Sequence, residues 1–298
     1  MNSAETFSPH RPLLFSIAYR MLGSVMDAED MVQETFLRWQ SADDVRSPKS
    51  YLSTILTRLC IDQLRSARVQ REAYVGPWLP EPLFTEEMPD MDEKLAQADS
   101  LSMAFLVILE SLQPAERAAF LLREVFDYEY AEIASIVDKS EANCRQMVHR
   151  ARQHVRERRP RYDAPPEQVQ RLTEQFMQAS ISGDVSGLLR LLSEEVTLLS
   201  DGGGKTVAAI NPILGQDNVA RFLVGIAGNA PDSFEYRFAQ INGRPGVVNY
   251  FDGQPQSVGT LEIVDGKISS IYIIVNPEKL QRIPPLRAAA GDPPRTEA

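Results

Sequence analysis

Residues 130–152 read YAEIASIVDKSEANCRQMVHRAR, and the fold of the first half of the chain turns on this stretch. Ile133, Val137, Cys144 and Val148 fall at core spacing for two helices. Tyr130 to Val137 forms the first, Asp138 to Ser140 the turn, and Glu141 onward the second. Ser140 is placed to cap the second helix with its hydroxyl. Asn143, Arg145, Gln146, Met147 and Arg150 are then left outside the core. A second helix exposing polar and basic groups is what reading a major groove requires. The same spacing also suits an ordinary three-helix bundle.

The neighbouring segments are helical too. Leu13, Leu14, Ile17, Ala18 and Met21 make one apolar stripe, interrupted at Gly23-Ser24. A second helix starts with the acidic turn Asp27, Glu29, Asp30 and runs to Trp39. Tyr51 to Arg71 buries Leu52, Ile55, Leu56, Leu59 and Leu64 and keeps its arginines on another face. Residues 74–92 hold Gly76, Pro77, Pro80, Pro82 and Pro89, so they form no regular helix. Two readings stand for them: a spacer, or a segment docking on a folded surface through Trp78, Leu79, Leu83 and Phe84. Helices resume over Leu95–Leu112 and Pro114–Phe126.

Beyond Pro160–Pro166 the texture changes. Glu167–Ser180 and Val185–Leu192 read as helices, Val196–Leu199 as a strand, and Asn218–Ile226 as a helix. Strands then follow at Phe234–Ile241, Val247–Phe251, Ser257–Val264 and Ile268–Val275. They are separated by turns at Asn242-Gly243, Asp252-Gly253 and Asp265-Gly266. Helices first and strands later indicate an α+β domain with an antiparallel sheet.

The net charge of −10 is unfavourable for binding nucleic acid, but its distribution is not. Six basic residues lie between Arg46 and Arg71 against Asp62 alone. Eight lie between Lys139 and Arg161 against Glu141 and Glu157, and residues 81–99 between these islands are acidic. The pattern predicts two separate phosphate-contacting elements. Cys60 and Cys144 read as core thiols in a reducing compartment, and the scattered His10, His149 and His154 predict no metal site. No signal peptide or membrane span is read, and the location expected is the cytoplasm. No cofactor is expected.

Several of these stretches resemble the extracytoplasmic-function sigma factors. Leu13–Ser24 with Asp27–Trp39 resembles the family's region two, and Leu109–Arg152 resembles its region four. The runs Arg117–Glu124 and His149–Arg152 are the most characteristic. The second half resembles a SnoaL-like domain of the nuclear-transport-factor-2-like fold, a cone of helices wrapped by a curved sheet. One subgroup of the family carries this extension, and its three marks are present. They are Trp78-Leu79-Pro80-Glu81-Pro82, Asp201-Gly202-Gly203-Gly204-Lys205 and Asn276-Pro277-Glu278-Lys279-Leu280, with Glu278 where Asp is commoner. These marks favour the docking reading of the linker.

The resemblance implies two all-α sigma domains followed by an α+β cone. The expected limits are 1–73 for region two, 74–93 for the linker, 94–162 for region four, 163–283 for the cone and 284–298 for a disordered tail. It implies a non-enzymatic factor that binds core RNA polymerase and promoter DNA. Asp30, Gln33, Glu34, Phe36 and Arg38 would meet the polymerase. Lys49, Tyr51, Arg58, Asp62, Arg65 and Arg68 would hold the −10 element. Ser140, Asn143, Arg145, Gln146, Arg150 and Arg152 would meet the −35 element. The three marks would join linker and cone, with Trp78, Leu79 and Pro80 against Gly202–Gly204 and a lysine, 205 or 279, beside Glu81. Two alternatives stand for the cone. It would sense a small ligand, or it would be an enzyme domain using Asp201, Asp217 or Glu262.

Overall fold

Gly23 and Ser24 set the geometry of the N-terminal helices. Gly23 adopts φ 66° and closes helix α2 (Arg11–Leu22), which follows the short α1 (Ser3–Phe7). The Ser24 hydroxyl then accepts from the Asp27 amide at 3.2 Å and caps α3 (Val25–Gln40). Helix α4 (Pro48–Arg71) carries the first basic island. The second half of this unit contains α5 (Ala98–Leu101), α6 (Met103–Glu110), α7 (Pro114–Glu124), α8 (Tyr130–Val137) and α9 (Glu141–Arg158).

The structure is a computed structural model that describes residues 3–42, 45–71, 73–85, 98–158 and 164–286. Expectations for the acidic stretch beyond Thr85, for Arg159 and Arg161 and for residues 287–298 lie outside these, as does the Arg68 side chain. Two compact units result: 1–74 with 78–161, and 75–77 with 162–298. The linker is thus divided between them. Among the described residues no helix is long and apolar enough to cross a membrane.

One apolar core runs through the first unit. Helix α2 packs on α3, α4 and α7, and α4 packs on α8. Two buried cations tie the helices together. Arg20 donates to Ser16 on its own helix and to the carbonyl of Ser100 at 3.1 Å. Arg117 donates to the Met21 carbonyl at 2.6 Å and to Glu110 at 2.8 Å. Burial pulls Arg20 down to about 10 and Arg117 to about 9, so both stay charged at neutral pH. Cys60 and Cys144 are free, buried thiols, and burial pushes both up in pKa, away from reactivity.

The second unit begins with α10 (Pro166–Ser182) and α11 (Val185–Leu191). Strands β1 (Leu192–Asp201) and β2 (Ile213–Leu214) precede α12 (Gln216–Ala227). The meander β3 (Phe234–Ile241), β4 (Arg244–Phe251), β5 (Gln254–Val264) and β6 (Lys267–Ile274) completes it. The sheet order is β2-β1-β6-β5-β4-β3, antiparallel except where β1 runs parallel to β6. The three helices pack on this sheet to build the α+β cone.

The three hairpin turns fall where the sequence placed them. Both residues of each have positive φ, such as Asn242 at 55° and Gly243 at 71°. These are the mirror-image turns that match strand twist. Pairing therefore continues to the turn, and β4 and β5 each start three residues earlier than the apolar pattern indicates. The start of the expected disordered tail needs correction. The Leu286 amide donates to the Gly253 carbonyl at 2.9 Å, and the Tyr250 hydroxyl donates to the Pro284 carbonyl at 3.3 Å. These bonds hold Pro284–Leu286 on the cone.

Candidate nucleic-acid interface

The helix-turn-helix is built by caps at each end. Glu129 and Glu132 close a reciprocal box at the start of α8, and Asp138 ends it in the left-handed region at φ 55°. The Asn143 amide donates to the Ser140 hydroxyl at 3.3 Å, so Ser140 caps α9 as its sequence position indicates. Cys144, Met147, Val148, Ala151 and Val155 face inward. Met147 is thus a core residue and not part of the outward set, because it lies three residues after Cys144 on the same face. Asn143, Arg145, Gln146, Arg150 and Arg152 are all exposed.

The outward cations are held in place by weak partners. The Arg145 guanidinium lies 4.9 Å from the Tyr130 ring centre and pairs with Glu141 at 2.9 Å. Arg150 meets Glu116 at 3.3 Å and Arg152 meets Glu124 at 2.7 Å. Exposed pairs of this kind contribute at most about 1 kcal/mol, so a phosphate competes with them readily. Tyr130, Gln146 and His149 join these arginines in lining a shallow concavity. The sequence reading missed Tyr130 and His149. The signal was helical spacing, since His149 sits four residues after Arg145 on an exposed face.

The other basic helix is used differently. Arg58 donates to the Ile136 carbonyl at 3.0 Å and to the Ser135 carbonyl at 2.8 Å, at the C-terminal end of α8. That end carries partial negative charge, which suits a guanidinium. The Lys49 ammonium lies 5.4 Å from the Tyr128 ring centre, and the Tyr128 hydroxyl bonds Ser53 at 2.7 Å. Tyr51 contacts Trp39 with ring centres 5.9 Å apart, and Asp62 pairs with Arg65 at 3.2 Å. Lys49 and Arg58 therefore already have partners on the region four side of the unit.

On α3, Asp30, Gln33 and Arg38 are exposed, and Glu34 pairs with Arg38 at 2.9 Å. Phe36 turns back edge-on to Phe7, with ring centres 4.9 Å apart. The large apolar group offered outward is its neighbour Leu37, 53% exposed.

The linker mark folds as a strap on the first unit. The Glu81 carboxylate accepts from the Val25 amide at 2.7 Å and the Met26 amide at 3.3 Å, completing the α3 N-terminus. The Glu81 amide donates to the Gly23 carbonyl at 2.8 Å, and the Tyr19 hydroxyl donates to the Glu81 carbonyl at 2.8 Å. The Trp78 ring lies 2.8 Å from where a Cβ on Gly23 would sit, so that position needs glycine twice over.

The other two marks meet in the second unit. Lys279 pairs with the fully buried Asp201 at 2.7 Å. The Asp201 carbonyl accepts from the amides of Val275 and Asn276, both at 2.9 Å, and Asn276 caps the turn at Glu278 at 3.1 Å. Lys205 pairs with Glu278. The residue against the glycine turn is Val75, 3.2 Å from the Cβ position of Gly204. Within this unit the two lysines pair with Asp201 and Glu278. Of the carboxylates considered for catalysis, Asp201 is ion-paired, Glu262 pairs with Arg244 at 3.5 Å, and Asp217 lies in the first turn of α12.

Comparison with known proteins agrees with this geometry. Residues 6–69 match the Sigma-70 region 2 family and residues 102–155 match Sigma-70, region 4. The chain is 36% identical over 291 residues to the ECF RNA polymerase sigma factor SigJ of Mycobacterium tuberculosis, covering 93% of each. It is 31% identical over 286 residues to the probable ECF RNA polymerase sigma factor SigI of the same species, covering 95% of each. The crystal structure of SigJ superposes with a TM-score of 0.76 at 32% identity, over 95% of this chain and 100% of that one. The chain belongs to the extracytoplasmic-function sigma factors of RNA polymerase, alternative sigma factors that direct transcription initiation.

Proposed function

We propose that the C-terminal cone sets how well this sigma factor initiates, acting through the divided linker in the cytoplasm. What supports the reading most is the linker itself. Val75–Pro77 pack with the cone at Gly204 and Ile210, whereas Trp78–Glu81 pack on Gly23 and the α3 start. A displacement of the glycine turn therefore pulls on the strap through the three peptide bonds from Val75 to Trp78. Promoter elements lie at a fixed separation, and restricting the linker changes the effective concentration of the second contact.

The site roles follow the same reading. Asp30, Gln33, Glu34 and Arg38, with Leu37, meet core polymerase, and Phe36 acts by packing α3. Asn143, Arg145 and Gln146 read −35 bases, while Ser140, Arg150 and Arg152 hold backbone. Lys49, Tyr51, Asp62, Arg65 and Arg68 serve the −10 element. Arg58 is fully available to them only when α8 leaves α4, since its Nε and Nη2 otherwise donate to the Ile136 and Ser135 carbonyls. No catalytic role is assigned to the cone.

Initiation from one promoter is compared for the full chain and for a chain ending near Tyr162, at equal core polymerase. The shortened chain is expected to initiate poorly, because nothing organises the linker. Equal initiation by the two would leave the cone without a regulatory role.

A further inference from the structure

Strand β3 is an edge of the sheet, and its sequence FEYRFAQI starts by alternating aromatic and charged side chains. Phe234, Tyr236 and Phe238 lie opposite Phe251, Asn249 and Val247 of β4, on one face. Their rings follow one another along the strand, with centres 6.2 Å apart for Phe234 and Tyr236 and 5.6 Å apart for Tyr236 and Phe238. Tyr236 is 41% exposed and Phe238 36% exposed. Neighbouring aromatic rings left in water along a sheet edge mark an interaction surface.

The backbone is open in the same place. A two-residue turn is closed by a pair that exchanges both main-chain hydrogen bonds, and at Asn242-Gly243 that pair is Ile241 with Arg244. Bonded and non-bonded pairs alternate along antiparallel strands, so Ala239, Arg237 and Glu235 bond β4. The even-numbered residues turn their N–H and C=O groups to the outer edge. There the Phe234 amide donates to the Pro231 carbonyl at 2.9 Å. Among the described residues the outward groups of Tyr236 and Phe238 meet no such partner. Ala239 and Ile241 are buried, which limits the open stretch to residues 234–238.

These five residues are complementary to themselves. A two-fold axis at Tyr236 pairs two copies of β3 antiparallel, with Phe234 opposite the second copy's Phe238 and Glu235 opposite its Arg237. Each pair occurs twice, and aromatic pairs and opposite charges facing one another stabilise a sheet. Moving the axis by one residue sets Glu235 against Glu235, or Arg237 against Arg237, which is destabilising. Arg237 already has a partner within the chain. The five N–H donors of a guanidinium let it hold a second carboxylate.

We propose that β3 is a docking edge for a second copy of this chain, joined two-fold at Tyr236 through residues 234–238. The two Tyr236 residues exchange N–H···O=C bonds, and each Phe238 amide donates to the Phe234 carbonyl across the axis. The contact is small beside a standard interface, so the dimer is weak and depends on concentration.

Sedimentation velocity of the full chain over roughly 5–500 μM, the span suited to a contact below standard size, reads the equilibrium. The wild type is expected to pass from monomer to dimer with no larger species, because a two-fold contact closes on itself. Tyr236→Pro removes an outward N–H and no bond to β4, so the cone keeps its fold while dimerisation weakens about tenfold or more. Glu235→Arg and Arg237→Glu should each be monomeric alone, since each sets like charges opposite one another. An equimolar mixture of these two should dimerise again, because every facing pair is then opposite in charge. Circular dichroism confirms that each variant is folded. Should Arg237→Glu fail to fold, Tyr236→Pro and Glu235→Arg decide alone. A wild type that stays monomeric throughout overturns the proposal and leaves the edge to a strand of another protein. A dimer that survives in Tyr236→Pro or Glu235→Arg places the contact elsewhere and overturns it too. So does failure of the two folded charge variants to associate on mixing.

Discussion

Both units bury charged groups, but in different surroundings. In the first, charged groups lie between helices and bond across them: Arg20 to Ser100, Arg117 through one guanidinium nitrogen to Met21 and Glu110 with its Nε unmet, Glu81 to the α3 amides. In the second, Asp201 pairs with Lys279 at the glycine turn and Glu262 with Arg244 on the sheet, while the wall of the central cavity is uncharged. Buried charges fix one arrangement of helices, because any other arrangement strands them without partners. The second unit instead surrounds an apolar hollow of about 520 Å³.

Breaking the ion pair gives the largest expected effect. Lys279→Met removes the cation paired with the Asp201 carboxylate at 0% exposure and should destabilise the cone by about 3–5 kcal/mol. Urea denaturation of the full chain reads this as early loss of the cone's transition, and an unchanged midpoint would refute it. Arg117→Ala should cost the first unit somewhat less, about 3 kcal/mol, because Glu110 is partly exposed and rehydrates. The same titration checks it, and a loss confined to the cone would contradict it.

Smaller effects belong to the outward groups. Arg145→Ala should weaken binding to the cognate −35 element by about 1–3 kcal/mol and blur one base preference. Arg158→Ala should weaken all sequences alike and flatten the salt dependence. Equal losses for Arg145→Ala on cognate and scrambled duplexes would remove it from the base-reading set. The smallest effect should come from Ala227→Phe. It fills existing space, so the melting temperature should stay near that of the wild type. A large buried-to-aromatic change in the close-packed first unit, Ala118→Phe, should be strongly destabilising.

The elements of both units were legible because their signals are local. Glycine and Asn-Gly or Asp-Gly pairs fix turns through φ alone, and a serine before an acidic turn caps a helix within three residues. The three marks were legible as motifs, and two of them do meet. What the sequence did not carry was which partner each group takes. Arg58 and Arg145 look alike in a basic helix, yet one is tied to α8 carbonyls and the other lies over Tyr130 in an exposed concavity. Val75 is a small residue in a proline-rich stretch, and nothing local marks its contact with Gly204.

The central claim is that the glycine turn acts on the helical unit through Val75. A deletion from Asn276 onward tests it poorly, because it removes the buried Leu280 and Ile283 along with the mark. Val75→Asp leaves the cone intact, and Gly204→Val puts a side chain where φ is 71° and Val75 lies 3.2 Å away. Losing a contact worth about 1 kcal/mol shifts a two-state balance about fivefold. Initiation from one promoter, with core polymerase in excess and circular dichroism confirming both variants folded, is the direct measurement. The account predicts that both substitutions change initiation in the same direction by about that factor. Wild-type initiation by both folded variants would contradict it.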